Sequence, residues 1–293
     1  RQAPPGRSQQ RFQLRVPKTA ELLQGKDYEL VNGFAPKLTD LLRTYYYVGG
    51  MPEAVKCYVE TQNLKQVRVI QKNILSGYRR DFSKHAPREE VPRINMVWDS
   101  IPKQLARENK KCIYGVLKKG ARAKEYEKAI IWLIDAGLVY RIPRINKVCK
   151  PLKFYEDVGA FKLFISDLGL LGAMVDASAR DMLIDNSVFE EYKGAFTEQF
   201  VAQQYFTFHE DGLFYYSNEN STSEIDFVAQ GEAAYPIEVK AEENRKAKSL
   251  RVVLQSDESL EGWRFSMSDY RRQERMVNVP LYLCGEWMRE YLG

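Results

Sequence analysis

Residues 223–241, SEIDFVAQGEAAYPIEVKA, admit few folds. Apolar side chains occupy alternate positions in two short runs, Ile225 and Phe227 before a turn and Ile237 and Val239 after it, and successive residues of a strand point to opposite faces. A hairpin turning about Glu232 sets Phe227 against Ile237 and Ile225 against Val239, and that agreement favours this register over any one-residue slip. The same register places Asp226 opposite Glu238 and Glu224 opposite Lys240. Two facing carboxylates are destabilising unless a cation, a proton or the nearby Lys240 lies between them. An Asp, a Glu and a Lys suit Mg²⁺-assisted phosphodiester hydrolysis: a metal held by Asp226 and Glu238 activates water, and Lys240 offsets developing negative charge. The other reading of the same residues is a solvent-facing hairpin with a Glu224–Lys240 ion pair.

The surroundings of the hairpin alternate helical and strand periods. VFEEYKGAFTEQFVAQQYFTF reads as a helix with Phe196, Phe200, Val201, Gln204 and Phe208 on one face. GLFYYSN, EIDFVAQ, AYPIEVK and VPLYLCG read as strands, with RKAKSLRVVLQS as a crossover helix, which is an α/β pattern. Phe161 to Ile165 is strand-like, and Asp167 is placed to cap a short helix after it. Further upstream the period is helical. Leu38, Leu41, Leu42 and Tyr45 share a face, Gly49–Gly50 ends that helix, Pro52 begins the next, and Leu64–Tyr78 is amphipathic. VPRINMVWDSIPKQLARENKK and ARAKEYEKAIIWLIDAG are helical stretches, the second stopped at Gly137, and LVYRI follows as a strand. That order resembles a winged helix.

Charge divides the chain. Residues 79–153 carry 19 Lys and Arg against 8 Asp and Glu, whereas residues 154–293 carry 13 against 25, so net charges of +11 and −12 meet near Phe154. This sign change predicts a domain boundary and mutual attraction of the two parts. Lys118, Lys119, Arg122, Lys124 and Lys128 form a basic footprint suited to the phosphate backbone of DNA or RNA; solvation of a packed helix is the other reading. The four cysteines and two histidines lack zinc or disulfide-framework spacing, which points to a reducing cytoplasm. No apolar run spans a bilayer, and RQAPPGRSQQRFQLR has no signal-peptide core, so no membrane partner is expected.

The string GAFTEQFVAQQ, followed by SEIDFVAQ and PIEVKA, resembles the C-terminal domain of a large group of prokaryotic AAA-type ATP-binding proteins, domain of unknown function 4143. LLRTYYYVGGMPEAV resembles the junction where that group's ATPase core meets this region. The resemblance covers residues 21–290. It implies a winged-helix-like module followed by a PD-(D/E)XK restriction-endonuclease-like α/β domain. The helix acid falls on Glu198, the first strand acid on Asp226, and the ExK pair on Glu238 and Lys240. The expected organisation is a disordered leader (1–20), a helical remnant or linker (21–89), the winged-helix-like module (90–150) and the nuclease-like domain (151–293). No GxxxxGK(S/T) loop occurs, so ATP is expected only with an upstream ATPase half, and the chain reads as a C-terminal fragment. Three roles follow: a nucleic-acid or partner recognition module on a nuclease-like fold, a Mg²⁺-dependent nuclease, or a defence or toxin–antitoxin-like interaction protein.

Overall fold

Glycine and proline punctuate the N-terminal helices as their backbone preferences require. The computed structural model describes residues 31–107, 110–117, 122–183, 190–218, 224–241 and 248–293; expectations for residues 1–20 lie outside them. Helix α1 (Ala35–Val48) stops where Gly49 adopts φ 70°, and α2 (Pro52–Thr61) opens on Pro52. Helix α3 (Leu64–His85) is capped by Asn63, whose side chain accepts from the Gln66 N–H. It runs past Tyr78 because Phe82, buried against Trp98 and Trp132, extends the apolar face by another turn. Helices α4 (Val91–Leu105), α5 (Tyr114–Leu117) and α6 (Ala123–Asp135) follow, with Gly137 at φ 69° just beyond the last.

Strand β1 (Val139–Ile145) connects through a 3₁₀ turn (Leu152–Tyr155) to β2 (Glu156–Ile165), its antiparallel partner. Asp167 then caps α7 (Leu168–Met174), accepting from the Leu170 N–H, and α8 (Ala179–Leu183) leads toward α9 (Glu190–Tyr205). The rest of the chain is β3 (Leu213–Ser217), β4 (Glu224–Gln230), β5 (Ala234–Val239), α10 (Lys248–Ser256), β6 (Gly262–Ser266), β7 (Arg271–Arg272), β8 (Met276–Pro280), a 3₁₀ turn (Leu281–Leu283) and α11 (Cys284–Leu292).

The strands form one mixed eight-stranded sheet in the order β2-β1-β3-β4-β5-β6-β8-β7. Thus β1, placed by the charge pattern with the upstream module, lies beside β3 in the same sheet. Hairpin β4–β5 has the expected register, Phe227 against Ile237 and Gln230 against Ala234. Helix α10 is the expected crossover, carrying the chain from β5 to the parallel β6. Three expectations need correction. Phe208 lies beyond the end of α9. Of VPLYLCG only Val279 and Pro280 belong to a strand: from Leu281 the buried positions Leu281, Cys284, Trp287 and Met288 recur at helical spacing. Strand β6 was missed because GWRFS is only five residues long, with Trp263 and Phe265 as its short apolar alternation. Among the described residues no helix is long and apolar enough to cross a membrane.

Candidate functional site

Two glutamines position the helix acid. Gln199 of α9 pairs with the last residue of β2 as a neighbouring strand would: its Oε1 accepts from the Ile165 N–H (3.1 Å) and its Nε2 donates to the Ile165 carbonyl (2.6 Å). One turn on, Gln203 Oε1 accepts from the Leu168 N–H (2.9 Å) and its Nε2 donates to the Tyr45 hydroxyl (2.9 Å). These bonds satisfy buried backbone groups at the end of β2 and fix the rotation of α9. Glu198, beside Gln199, is thereby directed into the protein, where it is almost fully buried.

Asp226 reaches the same place through an irregularity in β4. Phe214 faces Val228 while Tyr216 faces Ile225, so Asp226 and Phe227 together stand opposite Tyr215. This is a β-bulge, a device that re-aims side chains. It breaks the alternation on which the sequence reading depended: Phe227 enters the large core with Ile237 and Val239, whereas Ile225 joins a separate cluster with Val228 and Leu250. The expected Ile225–Val239 pair therefore does not form. The Val239 N–H donates instead to Asp226 Oδ2 (2.7 Å).

Lysines balance these acids. Lys162 of β2, with no solvent exposure, is 2.6 Å from Glu224 Oε1 and 3.8 Å from Glu198 Oε2 and lies over the Tyr215 ring. Lys110 donates to Glu198 Oε1 (2.6 Å). Lys240 Nζ is 3.0 Å from Glu238 Oε1, so the expected Glu224–Lys240 pair is replaced by Glu224–Lys162 and Glu238–Lys240. Glu238 lies between Ile237 and Val239, which enter the core, and alternates away from them.

The charges shape one another. Burial, then the Glu198 charge, pushes the Asp226 carboxyl up to about 7 against the pull of Lys162, Lys240 and Lys110. Burial acts to raise Glu198 as well, but Lys110 and Lys162 outweigh it and hold that carboxyl below its ordinary value. Burial acts to strip the Lys162 proton, yet Glu198, Glu224 and Asp226 raise its pKa and keep it charged. Burial and the neighbouring Glu198 thus favour a proton on Asp226, while Lys162 keeps its own.

A stability test follows from Asp226. Its folded pKa of about 7 lies above the unfolded value of roughly 3.9, so its contribution is fully present at low pH and is lost as pH rises through 7. Asp226→Asn is expected to stabilise the protein by about 2 kcal/mol at pH 8, with the gain shrinking toward zero near pH 4. Thermal unfolding across that range measures it. A variant less stable than the parent at pH 8 would contradict the raised Asp226 pKa.

Of the residues expected from sequence, Glu198 and Asp226 come together, Lys240 lies within their field, and Glu238 is held by Lys240. Lys110 and Lys162 were missed. The odd charge in the apolar run AFKLFI was the one signal available for Lys162, and Lys110 gave none in a lysine-rich stretch. Arg122, just before α6, and Lys124 and Lys128 on it are exposed; Lys118 and Lys119 lie outside the described residues. Carboxylate oxygens are the right donors for Mg²⁺, but here lysines already supply the positive charge to Glu198, Glu224 and Glu238. Among the described residues no three His, Cys, Asp or Glu side chains converge as a metal cluster.

Residues 39–181 match a family model described as Domain of unknown function (DUF8612). No curated protein and no solved structure matches the chain. Residues 193–283 match a family model described as Domain of unknown function (DUF4143), so the acids of the site lie in one matched segment and Lys110 and Lys162 in the other.

Proposed function

We propose that this chain is a nucleic-acid recognition module built on a nuclease-like fold, working as the C-terminal part of an AAA-type ATPase-like protein, with its carboxylate centre closed to hydrolysis. The observation that carries this reading is the pairing of acids with lysines, the buried Lys162 with Glu224 and the partly exposed Lys110 and Lys240 with Glu198 and Glu238. A metal entering the centre would compete with these ammonium groups and with the proton on Asp226. Topology supports the nuclease-like assignment: a helix (α9), three antiparallel strands (β3, β4, β5), a crossover helix (α10) and a strand (β6) parallel to the third. The order α4, α5, α6 and then the antiparallel β1–β2 pair supports the winged-helix-like assignment upstream. Arg122, Lys124 and Lys128, exposed at and along the start of α6, supply the phosphate-facing surface.

The test joins binding with turnover. The chain is expected to bind DNA or RNA with strong salt dependence and to leave it uncut in Mg²⁺ or Mn²⁺. Arg122→Ala, Lys124→Ala and Lys128→Ala combined are expected to weaken binding about ten-fold and to flatten the log K against log salt slope by about 0.9 for each duplex phosphate left without a cationic partner. Salt-independent affinity, or affinity unchanged in that triple variant, would refute the binding surface. A second reading, a Mg²⁺-dependent nuclease, is favoured by one observation: Glu198 Oε2 and Glu238 Oε2 are buried with no hydrogen-bond partner among the described residues. Metal-dependent cleavage abolished by Asp226→Ala and by Glu238→Ala would establish that reading in place of the first.

A further inference from the structure

The β1–β2 connection presents an exposed aromatic side chain on a segment that carries three lysines. Phe154 is 84% exposed, the highest value among the exposed large apolar side chains of the described residues. Its exposure does not come from a loosely attached loop. Phe154 closes the 3₁₀ turn by donating its N–H to the Pro151 carbonyl (3.1 Å). On one side of it Leu152 is buried and donates its N–H to Gln230 Oε1 (2.9 Å); on the other the Tyr155 carbonyl accepts from the Asn146 N–H (2.9 Å). Val148 and Leu152 pack with Phe214, Val228, Leu250 and Val253, so the connection is seated on the cluster beneath α10. The fold therefore holds an apolar ring in water on a firm base.

The electrostatic setting identifies what such a ring suits. Between Ile145 and Tyr155 the chain carries Lys147, Lys150 and Lys153 and no acid. Lys150 Nζ is oriented by the carbonyls of Gly231 (3.0 Å) and Glu232 (2.6 Å), neutral acceptors that place the charge without cancelling it. Lys147 Nζ lies 5.8 Å from the Tyr155 ring centre, and its charge extends to Asp257. Lys153 is paired with Asp211 (2.7 Å). A protein partner recognised through apolar contact needs a contiguous patch, whereas here a single exposed ring is flanked by Lys147 and Lys150, with Lys153 already paired to Asp211. A ligand that is planar, polarisable and anionic matches both features, and unpaired bases on a phosphate backbone have that chemistry. A duplex keeps its bases stacked internally and offers no free face to such a ring.

We propose that residues 146–155 form a second nucleic-acid contact, selective for single strands, in which Phe154 stacks on a base while Lys147 and Lys150 follow the phosphates. The proposal rests on the nucleic-acid reading above but uses a different surface. The experiment compares fluorescence anisotropy of a labelled single-stranded oligonucleotide with that of the duplex of the same sequence, using the full chain. Phe154→Ala, at an exposed site, is expected to leave the unfolding midpoint unchanged and to weaken single-strand binding about ten-fold, with little effect on the duplex; Phe154→Trp retains binding. Lys147→Ala with Lys150→Ala is expected to lower the single-strand salt slope by about 0.7 for each phosphate left without a cationic partner. Unchanged single-strand affinity in Phe154→Ala, or equal weakening toward strand and duplex, overturns the proposal. If binding persists and responds only to Arg122, Lys124 and Lys128, this second surface fails alone; if the parent chain binds no nucleic acid, both readings fail.

Discussion

Replacing Lys162 by methionine is expected to destabilise the protein by about 3–5 kcal/mol at pH 7, because removing one partner of a buried ion pair leaves the other charges unpaired in a poorly solvated site. Methionine has similar length and keeps the packing, so the loss reports on charge rather than on a cavity. Lys162 is fully buried and serves Glu224 and Glu198 together, with Asp226 in its field. The unfolding midpoint is expected to fall by about 10 °C, on the usual scaling for chains of this size. Neutralising Glu224 removes part of the imbalance, so Lys162→Met is expected to cost less in a Glu224→Gln background, a coupling that a double-mutant cycle reads directly. A loss below about 1 kcal/mol would show that this lysine does not hold the acids together.

Gly49→Ala has a comparable expected effect, about 3–5 kcal/mol, from two independent causes. Gly49 adopts φ 70° and ψ −163°, a combination essentially confined to glycine. An added Cβ would also lie 2.5 Å from Asp167 Oδ1 and 2.7 Å from the Gly169 N. Asp167 has little freedom to retreat, since its carboxylate accepts from the Gly50 N–H (2.6 Å) and the Leu170 N–H (2.9 Å). Denaturant unfolding of Gly49→Ala measures the penalty. Near-parental stability would mean that the junction between α1 and α7 is far more yielding than these distances imply. Turn geometry alone, which is all the sequence suggested for Gly49–Gly50, understates the constraint: the pair also lets α1 approach the capped start of α7.

Much of the fold was legible because it rests on local rules. Alternating apolar residues in EIDFVAQ and AYPIEVK predicted the β4–β5 register, the capping role of Asp167 followed from its position, and the crossover helix α10 followed from its period. The site was legible in part. Asp226 was named from the hairpin spacing and Glu198 through the resemblance, but the expected mutual facing of Asp226 and Glu238 assumed an unbroken ladder. The bulge at Asp226 and Phe227 has no signature in those residues, since it depends on how β3 presents Tyr215 to β4. Lys162 and Lys110 lie 36 and 88 positions before Glu198, so their meeting depends on the packing of β2 and α9.

By itself the sequence determined most of the helices and strands and where glycine and proline end them. These are properties of neighbouring residues. Tertiary structure alone decided that β1 and β2 join the sheet of β3–β8, that Asp226 bonds to the Val239 N–H, and that Lys110 and Lys162 pair with Glu198 and Glu224. The physical reason is burial: an acid's charge state depends on which distant side chains share its desolvated site, and Glu198 meets Lys110 and Lys162 only once α9 packs against β2, where Gln199 bonds to Ile165.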